Sequence, residues 1–315
     1  MKMKTIRKKI LAAVMALIPA AVSAQETSSA MSFIDNAMSP RMSAMGGVSA
    51  ALEADAYAQF GNIAGMAFSK GTFTAGISYE GWQPSAAGVN TGILGAAYRI
   101  NDRFSVTLGA SASFNRPYDI TDEYGISSGQ FTPKDWRAGA GVSFLVTESF
   151  SAGLGLNYAS SSTAPGSDPL YTAFASLQFM YRIRNFSVSL AGNNLGIPVT
   201  SVSGEKFNIP MNGELAVSYS NVWGKHGLSA AVDGRMYFGS GIAAGCSIGT
   251  EYEFAGLAAV RAGYHFGAES DGLPSFASVG AGLNVFGVSI DAAYIVAAGS
   301  SPMKNTFSVG IGYEF

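Results

Sequence analysis

From Thr72 to the carboxyl terminus, apolar positions alternate with polar or small ones at a period of two. Phe73, Ala75, Ile77 and Tyr79 alternate with Thr74, Gly76, Ser78 and Glu80; Leu94, Ala96, Tyr98 and Ile100 alternate with Ile93, Gly95, Ala97 and Arg99. A β-strand sends successive side chains to opposite faces, so each such segment has one greasy face and one small, polar face. The pattern recurs over 104–114, 136–146, 150–158, 171–183, 186–190, 211–219, 228–238, 242–254, 257–266, 276–285, 288–296 and 305–315. About fourteen strands of about ten residues, even in number, suit a transmembrane antiparallel β-barrel built from a single chain. The fold class is therefore all-β. Tight turns at Asn101-Asp102, Thr147-Glu148-Ser149, Arg184-Asn185 and Phe286-Gly287 follow the even strands. Longer loops over 117–134, 160–169, 196–210 and 268–274 follow the odd ones, the usual asymmetry of short periplasmic turns and longer outer loops.

Residues 25–70 break the pattern. This stretch is rich in Met and Ala and lacks alternation. Phe33, Ile34 and Ala37 have helical spacing, and Leu52 to Phe60 predicts a second short helix with Glu53 and Asp55 near its start. The expected organisation is a short helical plug, or hatch, over 25–70 and a barrel over 71–315. Before it, Lys2, Lys4, Arg7, Lys8 and Lys9 lead an apolar run from Ile10 to Val22 that is too short to span a bilayer. Val22-Ser23-Ala24 fits a small-x-small cleavage rule, so 1–24 are expected to be a secretory signal peptide.

Composition supports export to a membrane. The chain is 48% hydrophobic and only 13% charged, against about 25% charged for an average soluble protein. Without the five basic residues of the leader, 14 of the 19 Lys and Arg stand against 21 Asp and Glu, an acidic balance that argues against nucleic acid as partner. The single Cys246 excludes an internal disulfide and sits on a lipid-facing parity. Glycine is abundant, at 39 of 315 residues. Gly109, Gly139, Gly141, Gly153, Gly155, Gly245, Gly249, Gly280, Gly282, Gly310 and Gly312 all fall on the inward parity, where they leave room for something in the lumen. Strand charges share that parity: Glu80, Arg99, Arg137, Arg182, Glu214, Asp233, Arg235, Glu251, Glu253, Arg261, His265, Asp291 and Glu314. The cost of a lipid-facing charge accounts for the placement by itself. Tyr79, Trp82, Tyr98, Phe104, Phe114, Trp136, Phe150, Tyr158, Tyr219, Trp223, Tyr237 and Phe238 lie near segment ends, as interfacial girdles require.

Candidate chemistry is sparse. No Cys/His metal spacing, phosphate-binding loop or dinucleotide fingerprint is present, so no cofactor is expected. A Ser-His-Asp hydrolase can be drawn around His265 and Asp291, but no spacing fixes its geometry. Asp119, Asp122 and Glu123 carry Ca²⁺-ligand chemistry but equally make a solvated acidic loop. Together with Tyr118, Tyr124 and Phe131, they make the 117–134 loop the candidate docking surface for a protein partner.

Two motifs resemble known families. A terminal strand with Tyr313 followed by a final Phe315 looks like the signal read by the bacterial outer-membrane assembly machinery. The stretch Ser39-Pro40-Arg41-Met42-Ser43-Ala44-Met45-Gly46-Gly47, then Ala54-Asp55-Ala56-Tyr57-Ala58-Gln59-Phe60-Gly61-Asn62-Ile63-Ala64-Gly65-Met66-Ala67, resembles the amino-terminal motif of the PorV/PorQ branch of FadL-like outer-membrane proteins, with Tyr79-Glu80-Gly81-Trp82-Gln83-Pro84 as its first strand end and loop. The chain departs from it at Ile63, where that family usually has Pro. Arg41, Gly46, Gly47, Asp55, Asn62 and Ala64 carry the resemblance. It implies a monomeric fourteen-stranded barrel with a hatch, in the outer membrane of a Gram-negative bacterium of the Bacteroidota. It also implies a non-enzymatic role: docking or shuttling proteins for a type IX-like secretion or assembly complex, or, alternatively, passive uptake of hydrophobic small molecules. The small, polar inward faces tilt the expectation toward the protein-handling role.

Overall fold

The computed structural model describes residues 29–201, 204–238, 242–267, 274–297, 299 and 301–315. The expected signal peptide, the first residues of the expected hatch and most of the 268–274 loop lie outside the described residues. Fourteen antiparallel strands close into one barrel: β1 Phe73–Trp82, β2 Val89–Arg99, β3 Phe104–Phe114, β4 Lys134–Thr147, β5 Phe150–Ser162, β6 Leu170–Ile183, β7 Phe186–Gly196, β8 Met211–Trp223, β9 His226–Phe238, β10 Ile242–Phe254, β11 Ala258–Phe266, β12 Phe276–Val285, β13 Val288–Val296 and β14 Phe307–Glu314. Each strand pairs with its sequence neighbours, and β14 pairs with β1 to close the ring. No helix among the described residues is long and apolar enough to cross a membrane; the strands do the crossing.

Closure uses the carboxyl terminus. The Phe315 carbonyl accepts from Thr72 N–H at 2.7 Å and Phe73 N–H at 3.1 Å. The Phe315 ring lies 5.7 Å from Phe73 and 5.9 Å from Tyr313. The two residues of the assembly-signal resemblance therefore sit on the seam of the barrel.

The parity expected from the sequence decides inside from outside. Ile77, Leu94, Leu108, Leu156, Leu190 and Ile311 are exposed on the outer wall, while Thr74, Ser78, Thr107, Ser151, Ser189 and Ser308 are buried in the lumen. An apolar belt facing out and polar atoms facing in is what a bilayer demands of a barrel. Aromatic pairs run along both rims: Tyr79–Phe307 and Trp136–Tyr158 at the loop end, Phe104–Phe144 and Phe186–Tyr219 at the turn end. Two aromatics expected in the girdles turn inward instead. Trp82 shares the even parity of Glu80, and Tyr237 shares the odd parity of Arg235, so both point into the lumen.

One irregularity matters inside. Between Ala175 and Leu177 of β6, the partner strand β7 carries two residues, Asn193 and Asn194, in place of one. This β-bulge holds Asn194 at φ 55°, a conformation Asn tolerates better than most residues.

The amino-terminal segment runs through the lumen as short turns rather than long helices. It forms 3-10 turns at Ser32–Asp35, Ala58–Phe60 and Ala64–Phe68 and one short α-helix, α1, at Pro40–Ala44. The helix expected over Leu52 to Phe60 is confined to its last three residues, because the Asp55 carboxylate accepts from Tyr57 N–H at 2.9 Å and holds a turn there. The missed helix, α1, has a clear start signal: Ser39 caps Met42 N–H at 3.1 Å and Pro40 opens the first turn.

Candidate functional site: a lumen divided by the amino-terminal segment

The inward glycines make room for this segment. A methyl group added at Gly109 would stand 2.7 Å from the Phe60 ring, and one at Gly153 would stand 2.6 Å from the Ala64 nitrogen. One at Gly155 would meet Ile63, one at Gly249 the Met45 carbonyl, and one at Gly280 the Ala44 side chain. Gly139, Gly245, Gly282 and Gly312 face strand side chains instead, so the glycine excess is only partly explained by the segment.

The residues of the amino-terminal motif are its fastenings. The Arg41 guanidinium donates to both Glu251 oxygens, at 2.8 and 3.0 Å, and to the Glu53 carbonyl at 2.8 Å. Burial opposes its charge, but Glu251, helped by Asp55 and Glu53, outweighs burial and holds its pKa above the ordinary arginine value. Glu251 also accepts from Arg261 at 2.6 Å, and Arg261 donates to Asp291 at 2.5 Å. Gly46 and Gly47 sit at φ 72° and 93°, which lets the chain turn while Gly46 N–H donates to Ser278 Oγ at 2.9 Å. Asn62 donates to the Leu52 carbonyl at 2.9 Å, and Ala64 N–H donates to Gln178 at 3.1 Å. Ile63 holds φ −59°, an angle that Pro would also hold, so its departure from the motif leaves the turn intact. Burial pushes the Asp55 carboxyl above the ordinary range and the Tyr57 phenol up to about 12.

Above the segment, at the end carrying the long loops, lies a chamber of about 700 Å³. Phe33, Trp82, Phe276, Ile295 and Met303 supply its apolar wall, and Asp35, Asn115, Asp135, Arg235, Tyr237 and His265 its polar groups. Asp35 accepts three hydrogen bonds from the protein: Tyr237 donates at 2.6 Å, Asn212 at 3.1 Å and the bulged Asn194 at 3.3 Å. Its burial pushes the carboxyl pKa up. Arg235 is committed to Glu214 at 3.1 Å and to the Gly47 carbonyl at 3.1 Å.

Below the segment lies a vestibule of about 420 Å³ lined by Lys70, Arg182, Arg184, Glu253, Asp291 and Glu314 among others. Its polarity contrasts with the chamber above.

The other candidates go elsewhere. His265 hydrogen-bonds Ser247 at 2.9 Å and stacks on Phe276 in the upper chamber, whereas Asp291 pairs with Arg261 facing the vestibule. The hydrolase drawn from the sequence is not assembled. In the 117–134 loop, Tyr118–Thr121 and Ser127–Phe131 form a hairpin. Asp122 accepts from its own loop at Tyr124 and Ile126, and Asp119 accepts from Gln130. Tyr118 and Phe131 pack on each other, with ring centres 5.7 Å apart. Tyr124 stands out at the tip, and Glu123 is exposed beside it. The loop acids thus serve local turns, and among the described residues no group of His, Cys, Asp or Glu converges as a metal site.

No protein-family profile matches the sequence, and no curated protein matches it. The fold has known counterparts. The toluene transporter TodX of Pseudomonas putida superposes with a TM-score of 0.63 at 13% identity, over 91% of this chain and 98% of that one. The toluene transporter TbuX of Ralstonia pickettii superposes at 0.61 and 14% identity, over 90% of this chain and 99% of that one. The monoaromatic hydrocarbon channel CymD gives 0.59 at 13% identity, over 88% and 97%. This chain has the barrel fold of Gram-negative outer-membrane transporters. The FadL-like likeness expected from the motif agrees at the level of the fold, and the PorV/PorQ branch, type IX secretion and the Bacteroidota rest on the motif alone.

Proposed function

We propose that this barrel is a passive channel for small hydrophobic molecules, with the upper chamber as the entry site and the amino-terminal segment closing the lumen beneath it. The observation that carries the proposal is the chamber itself: about 700 Å³ walled by aromatic, aliphatic and thioether side chains, at the end of the lumen that carries the long loops, with the segment between it and the polar vestibule. Ligand sites of this size and lining suit small apolar molecules. The fold shared with toluene and monoaromatic hydrocarbon channels supports the same reading.

The protein-docking role drew on the small, polar inward faces. Much of those faces is covered by the barrel's own amino-terminal segment, and the rest by strand side chains, so their smallness does not call for a protein cargo. The exposed Tyr124 tip and the amino-terminal motif that resembles the PorV/PorQ branch remain in favour of docking.

Two measurements decide. Purified barrel in detergent should bind toluene-sized aromatics, read by quenching of Trp82 fluorescence and lost on replacing Trp82. In planar bilayers it should show no large, stable conductance. Absence of binding, with a protein captured by a photo-crosslinker at Tyr124, would transfer the function to docking.

A further inference from the structure

We infer that Asp135 makes the upper chamber selective for hydrophobic molecules that carry an ammonium group. The inference rests on the channel reading and assigns that chamber a ligand chemistry.

Asp35, Asp135, Arg235 and His265 are the charge-bearing side chains lining the chamber, and His265 is hydrogen-bonded to Ser247. Asp35 already accepts three hydrogen bonds, and Arg235 is engaged by Glu214 and a backbone carbonyl. Asp135 differs. It is half-buried, faces inward from the top of β4, and has no Lys, Arg or His nitrogen within ion-pair distance among the described residues. Its carboxylate is held from both flanks. Asn115, just beyond β3, donates to one oxygen at 2.9 Å, and the Ser161 hydroxyl of β5 donates to the other at 2.5 Å.

Two neutral donors fix the group without neutralising it. A carboxylate offers about four acceptor positions, so two neutral hydrogen bonds leave capacity for a donor from the chamber. Because Asn115 and Ser161 hold it from either side of β4, the carboxylate is pre-set and need not be ordered by the ligand. The rings of Trp82, Phe33 and Phe276 line the same cavity. Aromatic faces favour a cation over a neutral group of the same shape, Trp most of all. A ligand carboxylate would meet Asp135 with like charge.

The test uses the full-length barrel in detergent micelles and three probes of similar shape: phenethylammonium, ethylbenzene and 3-phenylpropionate. Their affinities are measured by titration calorimetry in wild type and in Asp135→Asn. The expected result is phenethylammonium binding about tenfold tighter than ethylbenzene, the scale of one charge-assisted hydrogen bond, with phenylpropionate weakest. Asp135→Asn should bring phenethylammonium to the level of ethylbenzene and leave ethylbenzene unchanged. Equal binding of the ammonium and neutral probes in wild type overturns the inference while the channel reading stands. Binding of none of the three overturns both. Heat-modifiable gel mobility reports whether the variant assembles; if it does not, the three-probe comparison in wild type decides alone.

Discussion

On the wall formed by β1 to β6, residues 56–66 are seated mainly by shape, with Arg137 of β4 over the Phe60 ring as the charged exception; on the wall formed by β8 to β13, residues 41–49 are seated by charge in addition to close contacts at Gly249 and Gly280. Residues 56–66 press against Gly76, Gly95, Gly109, Gly141, Gly153 and Gly155, with Gln59 bridging Thr107 and Asn157 by neutral hydrogen bonds. Residues 41–49 instead meet Glu251, Arg235 and Asp233, with Arg261 and Asp291 joined to them through Glu251. Both walls obey the same alternation of residues, so parity alone does not distinguish them. The difference lies in what each inward position offers. A missing side chain gives close contact that depends on fit. A paired charge gives an attachment whose strength depends on its partner remaining in place.

The charged wall should show the larger single-residue effect. Glu251 joins Arg41 of the segment to Arg261 of β11, and both its oxygens are engaged. Glu251→Ala would leave Arg41 without its carboxylate in a partly buried place, and removing one partner of a fully buried ion pair costs about 3–5 kcal/mol, which sets the upper end of the expected loss. The denaturant midpoint in micelles should fall accordingly, and proteases should reach residues 40–60. Arg41→Ala should add little on top of Glu251→Ala, since residues in one network are not additive. Additive losses would mean that the two do not act together.

The shape-based wall should yield more gently. A methyl group at Gly109 meets Phe60 and Gln59, and overpacking of this kind costs about 1–3 kcal/mol. Gly92, on the outward parity of β2, has open space beside it. Gly92→Ala should therefore be neutral or slightly stabilising, by up to about 1 kcal/mol, where Gly109→Ala is destabilising. Equal effects on the same midpoint assay would remove the steric distinction between the walls.

How much of this was legible depends on range. Strand order and parity follow from alternation that each segment carries by itself. The end of β7 was missed because Ala191-Gly192-Asn193-Asn194 carries no apolar alternation and contains the bulge. The inward glycines indicated an occupant of the lumen, but the pairing of particular glycines with Phe60, Ala64 or Met45 arises from residues far apart in the chain. The chamber is equally non-local: Phe33, Trp82, Asp135, Phe276 and Met303 come together only once the barrel closes. The inward places of Trp82 and Tyr237 were within reach of the sequence, by carrying the parity of Glu80 and Arg235 to the strand ends. The Ser39-Pro40 start of α1 was legible too, whereas Asp55 breaking the expected second helix was not, since an acidic residue near a helix start commonly favours it.

The smallest effect expected is a dependence on pH, and it too separates the walls. Asp35 and Asp55 are carboxyls of the segment whose pKa values are pushed above the ordinary range, chiefly by burial. A carboxyl raised in this way favours the protonated, seated form. Its contribution is fully present below the unfolded pKa and is lost as pH rises through the folded one. Residues 56–66 on the glycine wall contribute no carboxylate. The midpoint of wild type minus that of Asp35→Asn/Asp55→Asn should therefore fall as pH rises from the acidic range toward neutrality. The midpoint of Gly109→Ala minus that of wild type should stay level over the same range. A wild-type difference that rises with pH would show that Arg41 and Tyr237 favour the ionised carboxylates more than burial opposes them. The segment's charged side would then be held by those partners despite its burial.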